Sequence, residues 1–188
     1  MPLKVLLVDD SPAVRLVLRS ALCRVGIEPR DIYESDEAAE ARRVFRRVHP
    51  ELVFMDLSLR PRLRIAAIEG APPSGTPLPL QATMEEGEGL AKRMLYVEPS
   101  LRLVVCTGHP SDSASVREVV KYGAYCVLYK PITLESIHRL FQLLAADGIT
   151  ISSNGIWGGT RPGPESGGSR EVFDLTEGGP ERGGEHGT

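Results

Sequence analysis

The chain has 188 residues, 41% of them hydrophobic and 25% charged, which is enough for one globular domain with its own core. Its formal net charge is −3, and the residues after 151 account for all of it, with three Arg against six Asp and Glu. The balanced remainder argues against a basic nucleic-acid-binding surface, and no apolar run approaches the roughly 20 residues of a membrane span.

The first part of the chain is predicted to form a strand, a loop and a helix. The apolar run at 3–8 is typical of a strand buried on both faces of a parallel sheet. Ser11 and Pro12 follow it as an N-cap and a first-turn proline, and Gly26 ends the helical pattern. This order begins an α/β unit.

The alternation continues along the chain and predicts a five-stranded parallel sheet with helices on both faces. Asp36 is expected to cap the second helix, which ends before Pro50. Thr133 is expected to cap the last helix. The remaining predicted elements are strands at 31–35, 51–56, 101–107 and 125–130 and a helix at 111–122.

Two regions do not follow this pattern. Residues 60–86 are rich in Pro and Gly in their middle, and they interrupt the third strand–helix connection as a long inserted loop. Residues 152–188 are dominated by Gly, Pro and charge, which predicts a largely disordered tail. The expected organisation is therefore a single domain at 1–151, with its insertion at about 60–86, followed by a tail at 152–188.

Polar residues end four of the five predicted strands, at the edge where open parallel sheets bind ligands. They are Asp9 and Asp10, Asp56, Thr107 and Lys130. Three carboxylates alone would repel one another, and a divalent cation relieves that repulsion. Mg²⁺ prefers oxygen ligands, so Asp10 and Asp56 are predicted as direct ligands, with Asp9 acting through water and the Ser58 carbonyl completing the set.

The same groups suit phosphoryl transfer. Lys130 and Thr107 would neutralise phosphoryl oxygens, and the Asp56 carboxylate is the candidate nucleophile because carboxylates can form acyl-phosphates.

These motifs, in this order, resemble the receiver domain of response regulators in two-component phosphorelays. The resemblance covers about residues 3–146 apart from the insertion, and it implies a flavodoxin-like, doubly wound sheet of order 2-1-3-4-5. It implies Mg²⁺ held by the first acidic pair and by Asp56, which is phosphorylated, with Thr107 and Lys130 contacting the phosphoryl group. It also implies a cis peptide before Pro131 and a helix that starts near Gly87.

The function expected from this resemblance is that of a stand-alone response regulator, a phosphoacceptor and not an enzyme in the usual sense. A histidine kinase or phosphotransfer protein would supply the phosphoryl group. A downstream protein would read the surface of helix 4, strand 5 and helix 5, with no direct DNA binding. Three cysteines without metal-ligand spacing, and no signal-type N-terminus, predict buried free thiols and a soluble cytoplasmic protein without membrane association.

Two features depart from the family's pattern. Val127 stands where the family usually has an aromatic residue, with Tyr125 and Tyr129 beside it and expected to share one face of the strand. The insertion at 60–86 either screens the phosphoryl site or contacts a partner, or it is a tolerated loop. His109 is placed either near the attacking water or in solvent, and the Arg-rich second helix either binds acidic surfaces or is simply solvated.

Two other functions remain open. The absent aromatic residue and the insertion favour a phosphorylation-independent interaction module on the same scaffold. A phosphohydrolase with an Asp nucleophile is disfavoured, because no second Asp lies two residues after Asp56.

Overall fold

The computed structural model describes residues 2–59, 87–148, 150–151 and 157–158. The main strands are β1 (Val5–Val8), β2 (Ile32–Ser35), β3 (Leu52–Asp56), β4 (Arg102–Thr107) and β5 (Cys126–Tyr129). The helices are α1 (Pro12–Arg24), α2 (Ala38–Val48), α3 (Gly87–Val97), α4 (Ala114–Lys121) and α5 (Leu134–Ala146). Two short strands, β6 (Thr150–Ile151) and β7 (Trp157–Gly158), pair with each other in antiparallel fashion.

The five main strands form one parallel sheet in the order β2-β1-β3-β4-β5, as predicted. The pairing register aligns the carboxyl ends of neighbouring strands: Val8 lies beside Ser35 and Met55, and Asp56 lies beside Cys106. The polar residues that follow these strands therefore meet at one edge of the sheet.

The sheet is covered on both faces, so its three central strands, β1, β3 and β4, are buried along their whole length. Alternate residues point into two separate apolar clusters. The first cluster lies between the sheet and helices α2, α3 and α4, and the second lies between the sheet and helices α1 and α5. Phe54 and Leu7 are central to the second cluster and are almost fully buried. This two-sided burial explains the continuous apolar runs in the sequence.

Helix α1 starts and ends as the sequence predicts. The Ser11 side chain accepts a hydrogen bond from the Val14 amide, Pro12 is the first helical residue, and Gly26 adopts a positive φ of 98° just after the helix. Helix α5 also starts at its predicted cap, where Thr133 and Ser136 exchange side-chain to backbone hydrogen bonds.

Two helix starts differ from the prediction. Asp36 does not cap α2: the N-cap is Glu37, whose side chain makes no capping hydrogen bond. The reason is that the Ser35 hydroxyl accepts from the Glu37 amide and donates to the Glu37 carbonyl, which holds Glu37 in a turn. Helix α4 spans Ala114–Lys121 and not 111–122, because the capping side chain is that of Ser113, which accepts from the Val116 amide.

Two predicted segments lie wholly or mostly outside the residues that the structure describes. The insertion at 60–86 lies outside the described residues, as does almost all of the tail, although β7 falls just beyond the predicted boundary at residue 151.

All three cysteines are free thiols; Cys106 and Cys126 are buried, whereas Cys23 is only partly buried. Within the described residues, no helix combines the length and the apolar character that a membrane crossing requires.

Candidate functional site

Three carboxylates meet at the carboxyl edge of the sheet. Asp9 and Asp10 follow β1, Asp56 ends β3, and one oxygen of each lies within 4.8 Å of the other two. Asp9 and Asp56 are almost fully buried, at 1% and 2% exposure, whereas Asp10 is partly exposed. The structure thus brings together all three acidic residues that the sequence singled out.

Lys130 joins two of these carboxylates. Its Nζ lies 2.8 Å from Asp9 Oδ2 and 2.9 Å from Asp56 Oδ2. Lys130 is 74 residues from Asp56 along the chain and is still further from Asp9. One ammonium among three carboxylates leaves a formal charge of −2 in a mostly buried cluster when all three are ionised. The cluster is therefore electrostatically suited to a further cation or to a group that carries one.

Three strand ends share the same turn, in which a side-chain oxygen accepts a hydrogen bond from the backbone amide two residues later. The Ser11 amide donates to Asp9 Oδ1 at 2.8 Å, the Ser58 amide donates to Asp56 Oδ1 at 2.9 Å, and the His109 amide donates to Thr107 Oγ1 at 3.0 Å. Each turn fixes the direction of its side chain. For both carboxylates, it occupies one oxygen and leaves the other for the cluster.

Thr107 lies at the end of β4 and is fully buried. Its carbonyl accepts a hydrogen bond from the Lys130 amide at 2.8 Å. This bond extends the pairing of β4 with β5 to Thr107 and Lys130, the two residues that are predicted to contact the phosphoryl group. Because the Thr107 hydroxyl already accepts from the His109 amide, its own proton remains to be donated to another acceptor. The Lys130–Pro131 peptide is cis, as the resemblance implies.

Gly87, the first residue of α3, packs directly against the backbone of Asp56. A Cβ atom added to Gly87 would lie 2.0 Å from the Asp56 carbonyl oxygen and 2.9 Å from the Leu57 Cα. No side chain fits in that space. Helix α3 can therefore approach the candidate phosphoacceptor this closely only because its first residue is glycine.

Ser58 and His109 form a polar pair at the solvent side of the cluster. His109 Nε2 lies 3.0 Å from Ser58 Oγ, and both residues are exposed. The Ser58 amide bonds to Asp56, whereas the predicted role of its carbonyl as a metal ligand stays a prediction. His109 is therefore exposed to solvent and in contact with Ser58, and its position near the attacking water stays a prediction.

Arg15 is a residue of this region that the sequence did not single out. Its guanidinium donates to the Asp9 carbonyl at 2.6 Å and pairs with Glu34 of β2 at 3.2 Å. These contacts tie the loop that carries Asp9 and Asp10 to α1 and to the neighbouring strand. An arginine among the solvent-facing positions of α1 gives no sequence signal for this role, because the contact depends on how α1 packs.

The carboxylate cluster fits a Mg²⁺ ion. Adjacent ligands of an octahedral Mg²⁺ ion lie about 3 Å apart and opposite ligands about 4.2 Å apart. Three oxygens that lie within 4.8 Å of one another can therefore share one ion after their side chains close by up to about 2 Å, or with one of them bound through water. Asp9 Oδ2 is also buried without a well-aligned hydrogen bond, although Lys130 Nζ lies near it. An all-oxygen donor set with one poorly satisfied buried oxygen is the chemistry that a hard divalent cation prefers.

Burial and charge act in opposite directions on the two central groups. Burial raises the pKa of Asp9, and its contacts with Lys130 and the Ser11 amide only partly offset that effect. Burial works against the charge of Lys130, but its contacts with Asp9 and Asp56 outweigh it and raise the pKa of Lys130. Lys130 is therefore held as a cation at the centre of the site.

The residue at the family's aromatic position is not accessible. Val127 is fully buried in the cluster beneath α3 and α4, opposite Val105. The expectation that Tyr125 and Tyr129 share a face is wrong: Tyr125 packs on the α1 and α5 side and donates to Asp147, whereas Tyr129 packs on the other side. Tyr125 lies before β5 begins, so strand alternation does not extend to it.

The sequence is similar to those of two curated proteins. No family model matches the sequence. The methanol utilization control regulatory protein MoxX of Paracoccus denitrificans is 27% identical over 157 residues, 81% of this chain and 57% of that protein, so the chain spans little more than half of this relative. The chemotaxis protein CheY of Thermotoga maritima is 24% identical over 128 residues, 68% of this chain and 85% of that protein.

Solved structures share the fold. The receiver domain of NtrX from Brucella abortus superposes with a TM-score of 0.54 at 22% identity, covering 76% of this chain and 96% of that chain. A CheY-like response regulator receiver domain protein from Methanospirillum hungatei superposes with a TM-score of 0.58 at 18% identity, covering 78% of this chain and 96% of that one.

Proposed function

We propose that this chain, whose sheet and helices form the receiver-domain fold of response regulators, accepts a phosphoryl group on Asp56 and signals through protein contacts. The observation that carries the proposal is the position of the Lys130 ammonium, which lies within 3 Å of both Asp9 and Asp56 in a buried acidic cluster. An ion pair that served stability alone would need one carboxylate, whereas this site has three.

Asp56 is the proposed nucleophile. Its Oδ2 would attack the phosphorus of a phosphohistidine in a histidine kinase or phosphotransfer protein. The new bond is O–P, the broken bond is N–P, and the imidazole leaves after taking up a proton. Asp56 is held for this attack because its other oxygen accepts from the Ser58 amide.

The neighbouring groups would neutralise the transferred phosphoryl group. Lys130 now pairs with the attacking oxygen, so a small movement of its side chain would reach a phosphoryl oxygen bonded there. Thr107 can donate its hydroxyl proton to a second phosphoryl oxygen. A Mg²⁺ ion held by Asp9, Asp10 and Asp56, with the Ser58 carbonyl, would supply charge neutralisation at the remaining oxygens.

The output surface of this proposal includes an open cavity of about 310 Å³ beside β5 and α5. It is lined by Lys130 itself and by Tyr129, Pro131, Thr133 and Ser136, among others. Lys130 thus belongs both to the acidic cluster and to a surface cavity. A change in its partners on phosphorylation would alter a surface that a downstream protein can read.

A phosphorylation-independent interaction module is the second candidate. It is favoured by Val127, a fully buried aliphatic residue that cannot rotate between an inward and an outward position as an aromatic ring can. On this alternative, residues 1–151 form a binding scaffold and the acidic cluster is unused. The tail at 152–188 stays outside the proposed domain in both cases.

Acetyl phosphate and Mg²⁺ separate the two candidates. The intact chain should gain the mass of one phosphoryl group, and the Asp56→Asn variant should gain none. The Asp112→Asn variant is the matched control, because Asp112 is exposed and lies in the β4–α4 connection. A mass gain that persists in Asp56→Asn, or no gain in the unmodified chain with either acetyl phosphate or a phosphorylated histidine donor, would rule out the phosphoacceptor.

A further inference from the structure

Helix α2 presents a basic face to solvent at its carboxyl end. Arg43, Arg46 and Arg47 are exposed, and Arg46 and Arg47 take part in no ion pair among the described residues. The opposite face of the helix is apolar and buried, through Ala41, Val44, Phe45 and Val48. The arginines are therefore concentrated on one side within little more than one helical turn.

Helix α3 adds exposed apolar groups at the same end of the domain. Tyr96 is 84% exposed and Val97 63%, although both are large apolar side chains. Helices α2 and α3 bury their inner faces in the same apolar cluster, and both run from the edge that holds Asp56 toward the opposite edge. Because α2 and α3 also contact each other, their carboxyl ends lie side by side at the edge opposite the acidic cluster, where α2 is basic and α3 is apolar.

We propose that the segment at 170–177 of this same chain docks on this α2–α3 surface. Its sequence, REVFDLTE, is the one part of the chain after residue 158 that combines bulky apolar with acidic side chains. Val172, Phe173 and Leu175 would cover Tyr96 and Val97. The carboxylates would face the arginines of α2; they belong to Glu171, Asp174 and Glu177.

Charge and chain length both select this segment as the occupant. The surface carries three exposed guanidinium groups, and the segment carries three carboxylates against one guanidinium. The 11 residues at 159–169 separate the segment from β7. Fully extended, they reach about 37 Å. The linker starts on the opposite face of the sheet, because β6, the partner of β7, contacts α5. With layers packed about 10 Å apart, that face lies roughly 20 Å from α2 and α3. The segment can therefore reach α2 and α3 of its own domain.

This contact does not depend on phosphorylation. It would cover the α2–α3 surface in the resting chain, so a protein that uses this surface would have to displace the segment. The docked segment would also bury Tyr96, the most exposed of the large apolar side chains among the described residues.

Backbone amide shifts of the isotope-labelled full chain test the proposal. The Glu171→Gln/Asp174→Asn variant should shift amide signals of the carboxyl turns of α2 and α3, including that of Tyr96. The matched control is Glu181→Gln/Glu185→Gln, which removes the same charge from the same tail but outside the segment. The control should leave those signals unchanged.

A reciprocal pair of variants checks the surface. Arg46→Gln/Arg47→Gln should shift the signals of the segment around Phe173, whereas Arg24→Gln/Arg30→Gln, which removes two exposed arginines elsewhere, should not. Unchanged signals in both directions would overturn the proposal. Shifts that grow with protein concentration would also overturn it, because the occupant would then be the segment of a second copy.

Discussion

The Gly87→Ala substitution tests how closely α3 packs against the candidate phosphoacceptor. The new methyl group would lie 2.0 Å from the Asp56 carbonyl oxygen and 2.9 Å from the Leu57 Cα. Both contacts are with backbone atoms, which cannot rotate away as a flexible side chain can. Relief therefore requires the start of α3 to move, or the end of β3 to shift with Asp56.

The size of the effect follows from that displacement. An acceptable contact begins at about 3.0 Å, so α3 has to retreat by about 1 Å from a site in which it is fully packed. Overpacking of this kind costs about 1–3 kcal/mol of unfolding free energy. The Gly to Ala change itself stabilises a helix by at most about 1 kcal/mol, so the net effect should be destabilising.

Gly89 provides the matched control, because it lies two residues further along the same helix and an added Cβ meets nothing within 4 Å. Gly89→Ala should raise the unfolding free energy by about 0.5–1 kcal/mol, through helix propensity alone. Urea unfolding of both variants measures the difference, with the slope of the transition checked for constancy. If Gly87→Ala proves as stable as Gly89→Ala, the close approach of α3 to Asp56 is wrong.

Three further results are expected at the acidic cluster. The raised pKa of Asp9 means that protonation of this carboxylate favours the folded chain, so without Mg²⁺ the unfolding free energy should rise as the pH falls through that pKa. Lys130→Met removes a contact that lowers the pKa of Asp9, so it should shift this rise to higher pH. An unshifted profile would contradict the contact between Lys130 and Asp9. Saturating Mg²⁺, at about 100 times its dissociation constant, should stabilise the chain by about 2.7 kcal/mol; calorimetric unfolding should show this gain lost in Asp10→Asn, and a variant that keeps it would exclude Asp10 as a ligand. His109→Ala removes an exposed partner of Ser58, so it should change stability by less than about 0.5 kcal/mol yet alter the lifetime of the acyl-phosphate, followed by intact mass after the phosphodonor is removed; an unaltered lifetime would leave this pair without a role.

The sequence predicted the fold well because the strands are buried on both faces. Runs such as those at 5–8 and 103–106 are apolar throughout, and their alternation with helices leaves few possible architectures. The starts of the second and fourth helices were not predicted correctly, since several polar residues there compete as caps. Which side chain bonds to which amide depends on the turn, as Ser35 and Ser113 show.

The site was predictable to the extent that it follows from strand ends. Asp9, Asp56, Thr107 and Lys130 each end or follow a strand, and parallel strands bring those ends to one edge. The contact of Arg15 with the Asp9 carbonyl had no such signal, because it depends on the packing of α1. The position of Tyr125 was misjudged for a related reason, since one residue decides whether strand alternation applies.

The charge of the cluster argues for a functional rather than a structural origin. Burying Asp9 and Asp56 costs free energy that one Lys130 ammonium offsets only in part, as the raised pKa of Asp9 indicates. A chain selected for stability alone would gain by replacing one carboxylate with an apolar or amide side chain. When all three carboxylates are ionised, their excess of −2 equals the charge of one divalent cation, and a monovalent ion would leave half of it uncompensated. The same cation would then be available to neutralise an incoming phosphoryl group. The excess negative charge of the resting site is therefore what the phosphoryl transfer proposed for Asp56 requires.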